Sequence, residues 1–331
     1  MGPCRYPQSG ERDLGESEKI NMTRNSVLYI LFLAGLFSAC SHGDKRKDAS
    51  LRDFTFAPVK NIRYEEVKRR FSSGLSVNEM GFHQEPSWII EFISDDSVLA
   101  YYPKKKIMQG FHLHYDHANV YNFAKEWFRV KKIAKDSLVL QRLQVNRREI
   151  ASDITSDVNM TFYAQSFIKR KLRTTARELQ KPTAADSAFV RKLAERSNRN
   201  PGNRDSAFAA RQPVRFVSRS PLVLVEQISN QDPLTGKTAS YDYMFPEYKI
   251  TIRKAYKDFA FRFGCVIDAR GTIHIGRITG VIPEYYEQRK KVIEGVIRVY
   301  LRNLSTLHPG TTFGIPHSSE ITLNITGKAD N

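Results

Sequence analysis

Apolar and polar residues alternate with a period of two in several short runs of the first half of the chain. Ser87-Trp88-Ile89-Ile90-Glu91-Phe92-Ile93 and Ser97-Val98-Leu99-Ala100-Tyr101-Tyr102 flank Ser94-Asp95-Asp96. Trp127-Phe128-Arg129-Val130-Lys131-Lys132-Ile133 and Ser137-Leu138-Val139-Leu140 flank Ala134-Lys135-Asp136. Two β-rich runs joined by a short polar turn predict a hairpin. Hairpins at this spacing, with no long helix between them, predict an antiparallel meander of the kind that closes into a small barrel. Met160 to Leu179 reads as a helix that ends this domain, which spans residues 53–180.

The second half reads differently. Phe259, Phe261, Phe263, Cys265 and Ile267 alternate with Ala260, Arg262, Gly264 and Val266, as in a strand buried mainly on one face. Asp268-Ala269-Arg270-Gly271 supplies a turn, and Thr272–Thr279 returns as a second strand. Pro283 opens a helix, since proline suits a first turn. Its residues Tyr286, Val292, Ile293, Val296, Ile297, Val299, Tyr300 and Leu304 form an apolar stripe at helical spacing. His308-Pro309-Gly310 reads as the stop, and Ser319–Thr326 alternates again as a strand. The predicted order is ββαβ, one helix on a small antiparallel sheet, and the whole chain is therefore of α+β class.

Val266-Ile267-Asp268-Ala269-Arg270-Gly271, the helix after it and Pro309-Gly310-Thr311-Thr312-Phe313-Gly314-Ile315-Pro316 carry a resemblance. Over roughly residues 240–328 the sequence resembles the C-terminal domain of the energy transducer TonB. The most specific part is the loop with Pro309, Gly310, Gly314 and Pro316, because proline and glycine positions encode a particular backbone path. The resemblance implies that the last strand offers its edge to an extended segment of an outer-membrane receptor. That assigns partner binding by strand addition to Ser319, Ile321, Thr322, Leu323, Asn324 and Ile325. Leu307 and His308 stand where a tryptophan is common in the family, and no full membrane span precedes the domain, so energy transduction does not follow. The first-half pattern, in turn, looks like the lipocalin-like small barrels of bacterial envelope proteins.

Charge and leader change the setting. The formal net charge is +17, and more than half of the excess falls in residues 169–222. Lys181-Pro182 and Asn200-Pro201-Gly202-Asn203 are breakers, so residues 181–222 read as a basic linker with room for one short helix around Phe189 and Leu193, four apart, either a solvated spacer or a binding helix for anionic surfaces. Ser26–Ala39 is an apolar run about the length of a secretory h-region, with Arg24 before it and Cys40 directly after. Leu36-Phe37-Ser38-Ala39-Cys40 resembles a bacterial lipobox, which implies lipidation of Cys40. Met22 is a natural start for that signal, and residues 41–52 form a polar tether. The expected location is periplasmic, lipid-anchored, with the outer membrane favoured. There the counter-charges of the basic tract are anionic headgroups, not nucleic acid. Residues 223–331 complete the chain as the partner-binding domain, and exposed strand edges leave pairing of two copies open.

One string suggests an enzyme. His112-Leu113-His114-Tyr115-Asp116-His117 is H-x-H-x-D-H, which resembles the zinc-ligand motif of metallo-β-lactamases. Further ligands are missing at the expected distance downstream, so the first expectation is a non-enzymatic protein with no cofactor and no metal. The alternative is a zinc-dependent hydrolase using His112, His114, Asp116 and His117. Cys265 reads as a small core hydrophobe. No G-x-S-x-G and no phosphate-binding glycine loop occurs.

Overall fold

The computed structural model describes residues 54–146, 149–150, 156–231 and 238–330. Both predicted hairpins form. Strands β1 (Arg63–Phe71), β2 (Ile89–Ser94), β3 (Ser97–Tyr102), β4 (Ile107–His112), β5 (His114–His117), β6 (Val120–Phe123), β7 (Glu126–Ile133) and β8 (Ser137–Leu143) lead to a minor hairpin of β9 (Val145–Asn146) and β10 (Glu149–Ile150). Strand β11 (Val158–Ala164) follows. All but the minor pair join one nine-stranded sheet in the order β4-β3-β2-β1-β11-β8-β7-β6-β5, with every neighbouring pair antiparallel.

The two edge strands of this sheet are consecutive in sequence. β4 ends at His112 and β5 begins at His114, so Leu113 carries the chain from one edge to the other and the sheet is a nearly closed barrel. Leu113 is buried, and its N–H donates to the Asp96 carbonyl at 2.8 Å. The inward positions of the alternating runs fill the interior: Ile90, Phe92, Val98, Leu138 and Leu140 are all buried, and Phe56 stacks on Phe92 with ring centroids 4.1 Å apart. That is the expected alternation of a sheet with one face on a core.

The helix expected over Met160–Leu179 is corrected. Met160, Phe162 and Ala164 are buried at alternate positions, so period two holds to Ala164, and β11 sits between β1 and β8. Only Gln165–Arg170 and Ala176–Leu179 are helical. A strand wins because the barrel needs a rung between β1 and β8, and a helix would leave both ladders open.

The linker expected over residues 181–222 is also corrected. Helix α1 (Ala184–Arg199) starts with a full capping box between Thr183 and Asp186. Asp186 is fully buried and also accepts from Ser76 N–H at 2.8 Å and from Arg70 at 3.0 Å. Burial works against its carboxylate, yet the hydrogen bonds from Thr183 and Ser76 outweigh it and hold its pKa below the usual range. Val190 and Leu193 pack beneath the helix with Val77 and Phe208. The positive charge of this tract thus lies on the outer face of folded chain.

The C-terminal part holds β12 (Arg215–Ser218), β13 (Val223–Ile228), β14 (Glu247–Arg253), β15 (Phe259–Ile267) and β16 (Ile273–Ile278). Helix α2 (Tyr286–Val296) continues through a π-helical turn, Ile297–Leu301, to Leu304. Then come β17 (Ser305–His308), β18 (Thr311–Thr312), β19 (Ile315–Pro316) and β20 (Ser319–Lys328). Strand, turn, strand, helix and final strand occur where the periodicity predicts them. The helix, however, ends before His308-Pro309-Gly310, because Ser305–His308 pairs with β12. The main sheet has the order β13-β14-β20-β15-β16.

That order overturns one expectation. β20 lies parallel to β14 on one side and antiparallel to β15 on the other. Leu323 faces Tyr248 across one ladder and Phe263 across the other. Thr322, Leu323, Asn324 and Ile325 therefore have no free edge to offer, since β14 and β15 take both main-chain sides, while Ser319 and Ile321 pair with β15 alone, ahead of the start of β14.

The Pro-Gly loop packs inward. A Cβ on Gly310 would meet the Ala210 Cβ at 2.5 Å. Gly314, at φ 77°, makes the turn between Thr312 and Ile315, and Pro316 pairs with Thr311. Thr311 and Gln212 exchange backbone hydrogen bonds at 2.9 Å each way. Pro309, Gly310, Gly314 and Pro316 thus shape a staple for residues 208–212. From the other side, Arg211 binds Glu85 through two hydrogen bonds of 2.6 and 2.9 Å. Residues 52–331 form one compact unit.

Candidate functional site

The C-terminal sheet has two outer strands, β13 and β16. Beside β16 runs α2, and between them lies a groove of about 560 Å³. Ile273, His274 and Ile275 form its strand wall, and Lys290, Lys291, Glu294, Gly295, Ile297, Arg298 and Arg302 form its helix wall.

The strand wall is open along its main chain. Asp268 N–H donates to the Thr272 carbonyl at 3.1 Å, and Val266 faces His274 in register. Antiparallel alternation counted from that bond turns the main chain of His274 toward β15, and that of Ile273 and Ile275 away from the sheet. Their side chains meanwhile pack against the core under α2. Two consecutive outward positions of a strand, anchored by their own side chains, form a template for another strand.

The helix wall owes its shape to two local features. Gly295 has no Cβ and nothing within 4 Å of where one would be, which leaves the groove open at mid-height. The π-helical turn Ile297–Leu301 then widens the helix between Arg298 and Arg302. Lys290, Lys291, Arg298 and Arg302 are paired with no carboxylate among the described residues, and Glu294 is the single acidic side chain of the lining.

At one end of the groove, His274 Nε2 lies 2.9 Å from Asp268 Oδ2. The Arg270 and Thr272 N–H groups donate to Asp268 Oδ1 at 2.8 and 2.9 Å. Burial opposes the charge on Asp268, but His274 and these two donors prevail and hold its pKa below the ordinary value. Carboxylate and turn together fix the imidazole ring, against which Gly202 packs so closely that a Cβ there would sit 2.7 Å from His274 Cγ. The lining contains no Ser, Thr or Cys. Cys265, the nearest thiol in sequence, is buried in the core with its pKa pushed up by burial.

No known protein family matches the chain, and no curated protein matches it. The site therefore stands on its geometry.

The other sequence-derived candidates fall elsewhere. Cys40 lies outside the described residues. The H-x-H-x-D-H string straddles the barrel seam: His112 ends β4, buried Leu113 turns the corner, and His114, Asp116 and His117 belong to β5. The rings of His112 and His114 are 6.3 Å apart and tilted, and Asp116 pairs with its neighbour His117. The corner at Leu113 and the bulge at Asp116 break the regular alternation that would put His112, His114 and Asp116 on one strand face. Among the described residues no group of three or more His, Cys, Asp or Glu side chains has a metal-holding arrangement, and no helix is long and apolar enough to cross a membrane.

Sequence reasoning missed the groove. A signal existed: Lys290, Glu294, Arg298 and Arg302 recur every four residues beside an alternating strand, the mark of one helix face.

Proposed function

We propose that this protein is a non-enzymatic binding protein of the cell envelope that captures an extended, acidic segment of a partner protein by strand addition to β16. The observation that carries the reading is the outward main chain of Ile273 and Ile275 beside four unpaired cations. Main-chain hydrogen bonds would supply affinity without regard to sequence, and Lys290, Lys291, Arg298 and Arg302 would select carboxylates. The groove holds a fixed imidazole but no hydroxyl or thiol beside it, which favours recognition over catalysis.

The resemblance to TonB C-terminal domains supports the same class of activity, with an outer-membrane or other envelope protein as the partner. In this reading the point of attachment moves from the last strand to the outer strand β16. The apolar run before Cys40 supports a periplasmic, lipid-anchored location. In that setting the cationic face of residues 169–222 would sit against anionic headgroups.

The test uses a fluorescein-labelled peptide of alternating Glu and Val, with a Lys and Val peptide of equal length as control. Anisotropy is expected to show saturable binding of the acidic peptide only, weakening as salt rises. Amide exchange is expected to slow at Ile273 and Ile275. Lys290→Glu with Arg298→Glu should reduce affinity at least about tenfold, the size of losing ~1.4 kcal/mol of charge complementarity. Binding that leaves the exchange of β16 unchanged would refute strand addition there.

A further inference from the structure

We infer that the seam of the barrel is a second binding site, for an amphiphile with an apolar body and one carboxylate. This does not rest on the reading of the β16 groove. A cavity of about 630 Å³ lies between strands β2, β3 and β4 on one side and the β6–β7 turn on the other. Its size falls in the range of roughly 300–1,000 Å³ typical of small-molecule sites.

The cavity has an apolar floor. Trp88, Tyr102 and Phe111 line it. The Trp88 indole meets Phe123 and Phe128 edge to face, at 5.6 and 5.5 Å. Two perpendicular aromatic contacts leave the indole little room to turn, so it presents a fixed apolar surface.

The rim is cationic. Lys105 lies 5.9 Å from the Tyr102 ring centroid, and Lys125 sits in the β6–β7 turn opposite. The one carboxylate of the lining, Glu126, is held by Arg142 through hydrogen bonds of 2.8 and 2.7 Å. Its charge is thereby satisfied outside the cavity. Neither lysine is paired with a carboxylate among the described residues. An apolar floor under two uncompensated cations fits a ligand that is apolar along its length and negative at one end.

The turn that carries Lys125 adds an independent observation. Phe123 pairs with Glu126, so Ala124 and Lys125 alone make the connection, and both are left-handed, at φ 50° and 65°. Such a two-residue turn favours Asn-Gly or Gly-Gly, and Ala-Lys is a strained choice. The choice puts a cation on the rim where Asn or Gly would put none.

The full-length protein with Trp127→Phe makes Trp88 its sole tryptophan, since the chain has two. Titration with sodium laurate below its micelle concentration should give a saturable change in Trp88 emission. Dodecyltrimethylammonium, of equal chain length and opposite charge, should bind at least tenfold more weakly. Lys105→Glu with Lys125→Glu, both exposed and so compatible with folding, should lose laurate affinity at least tenfold. Lys125→Asn, better suited to a left-handed turn, should raise the thermal midpoint and weaken laurate together. A non-saturable response, equal binding of the cationic amphiphile, or undiminished laurate affinity in the charge-reversed variant would overturn the proposal.

Discussion

The Tyr286 hydroxyl donates a 2.8 Å hydrogen bond to the carbonyl of Gly276, tying the first turn of α2 to the strand that walls the groove. Helix and edge strand are thus fixed to each other by a polar contact as well as by the core residues Ile293, Val296 and Ile278 beneath them. Tyr286→Phe keeps the ring and removes the contact. Stability in urea is expected to fall by about 1 kcal/mol, the net worth of one such bond, and amide exchange in β16 is expected to quicken. An unchanged urea midpoint would mean that packing alone sets the groove.

Proline substitution separates the two ends of the strand-addition question. At Leu323, fully buried with a ladder on each side, proline removes a donor from the centre of the sheet, a place where proline is not accommodated. Leu323→Pro should therefore lack a cooperative thermal transition. Ile275 lies on an outer strand with its N–H turned outward, where proline is tolerated. Ile275→Pro should keep its circular dichroism and lose the acidic peptide. A folded Leu323→Pro protein would contradict the central position of β20.

His317 sets a pH dependence. The ring is fully buried, stacked on Phe208 with centroids 3.6 Å apart, and lies within hydrogen-bond reach of Thr312 Oγ1 at 3.0 Å and the Ser318 carbonyl at 3.2 Å. Burial pushes its pKa down from 6.5 to about 4. Between those values the unfolded chain takes up a proton that the folded chain refuses. The stabilisation is complete above about pH 6.5 and is lost as pH falls toward 4, with a ceiling of about 3 kcal/mol. Urea midpoints measured from pH 7.5 to 4.5 should fall less steeply in His317→Gln than in the parent. Parallel slopes would show that the carboxylates alone govern the acid sensitivity.

Legibility followed periodicity. The runs around Ile90, Phe92, Leu138 and Leu140, and the strand from Phe259 to Ile267, announce themselves because side chains alternate across a sheet whatever its neighbours are. Met160–Ala164 misled because a short apolar run fits helix and strand alike, and only the gap between β1 and β8 decides. Residues 181–222 misled for another reason. Proline and glycine breakers read as a spacer, yet Thr183 and Asp186 already spell a capping box. The order of strands in the C-terminal sheet was not legible at all. Nothing local in Ser319–Ile325 says that Glu247–Arg253 will lie alongside it, because pairing partners are a property of the whole chain. The groove was hidden for the same reason: its two walls are read separately, and only the fold sets them side by side.

The central position of β20 gives the C-terminal sheet an order of assembly. Neither β14 nor β15 has its full complement of neighbours until residues 319–328 are in place, so this sheet closes only around its middle strand. A chain trimmed before Ser319 would carry two adjacent, unmatched strand borders of seven and nine residues. Such a fragment is a ready partner for its own copies. Proteolysis that removes residues 319–328 would therefore convert a folded protein into an aggregating one.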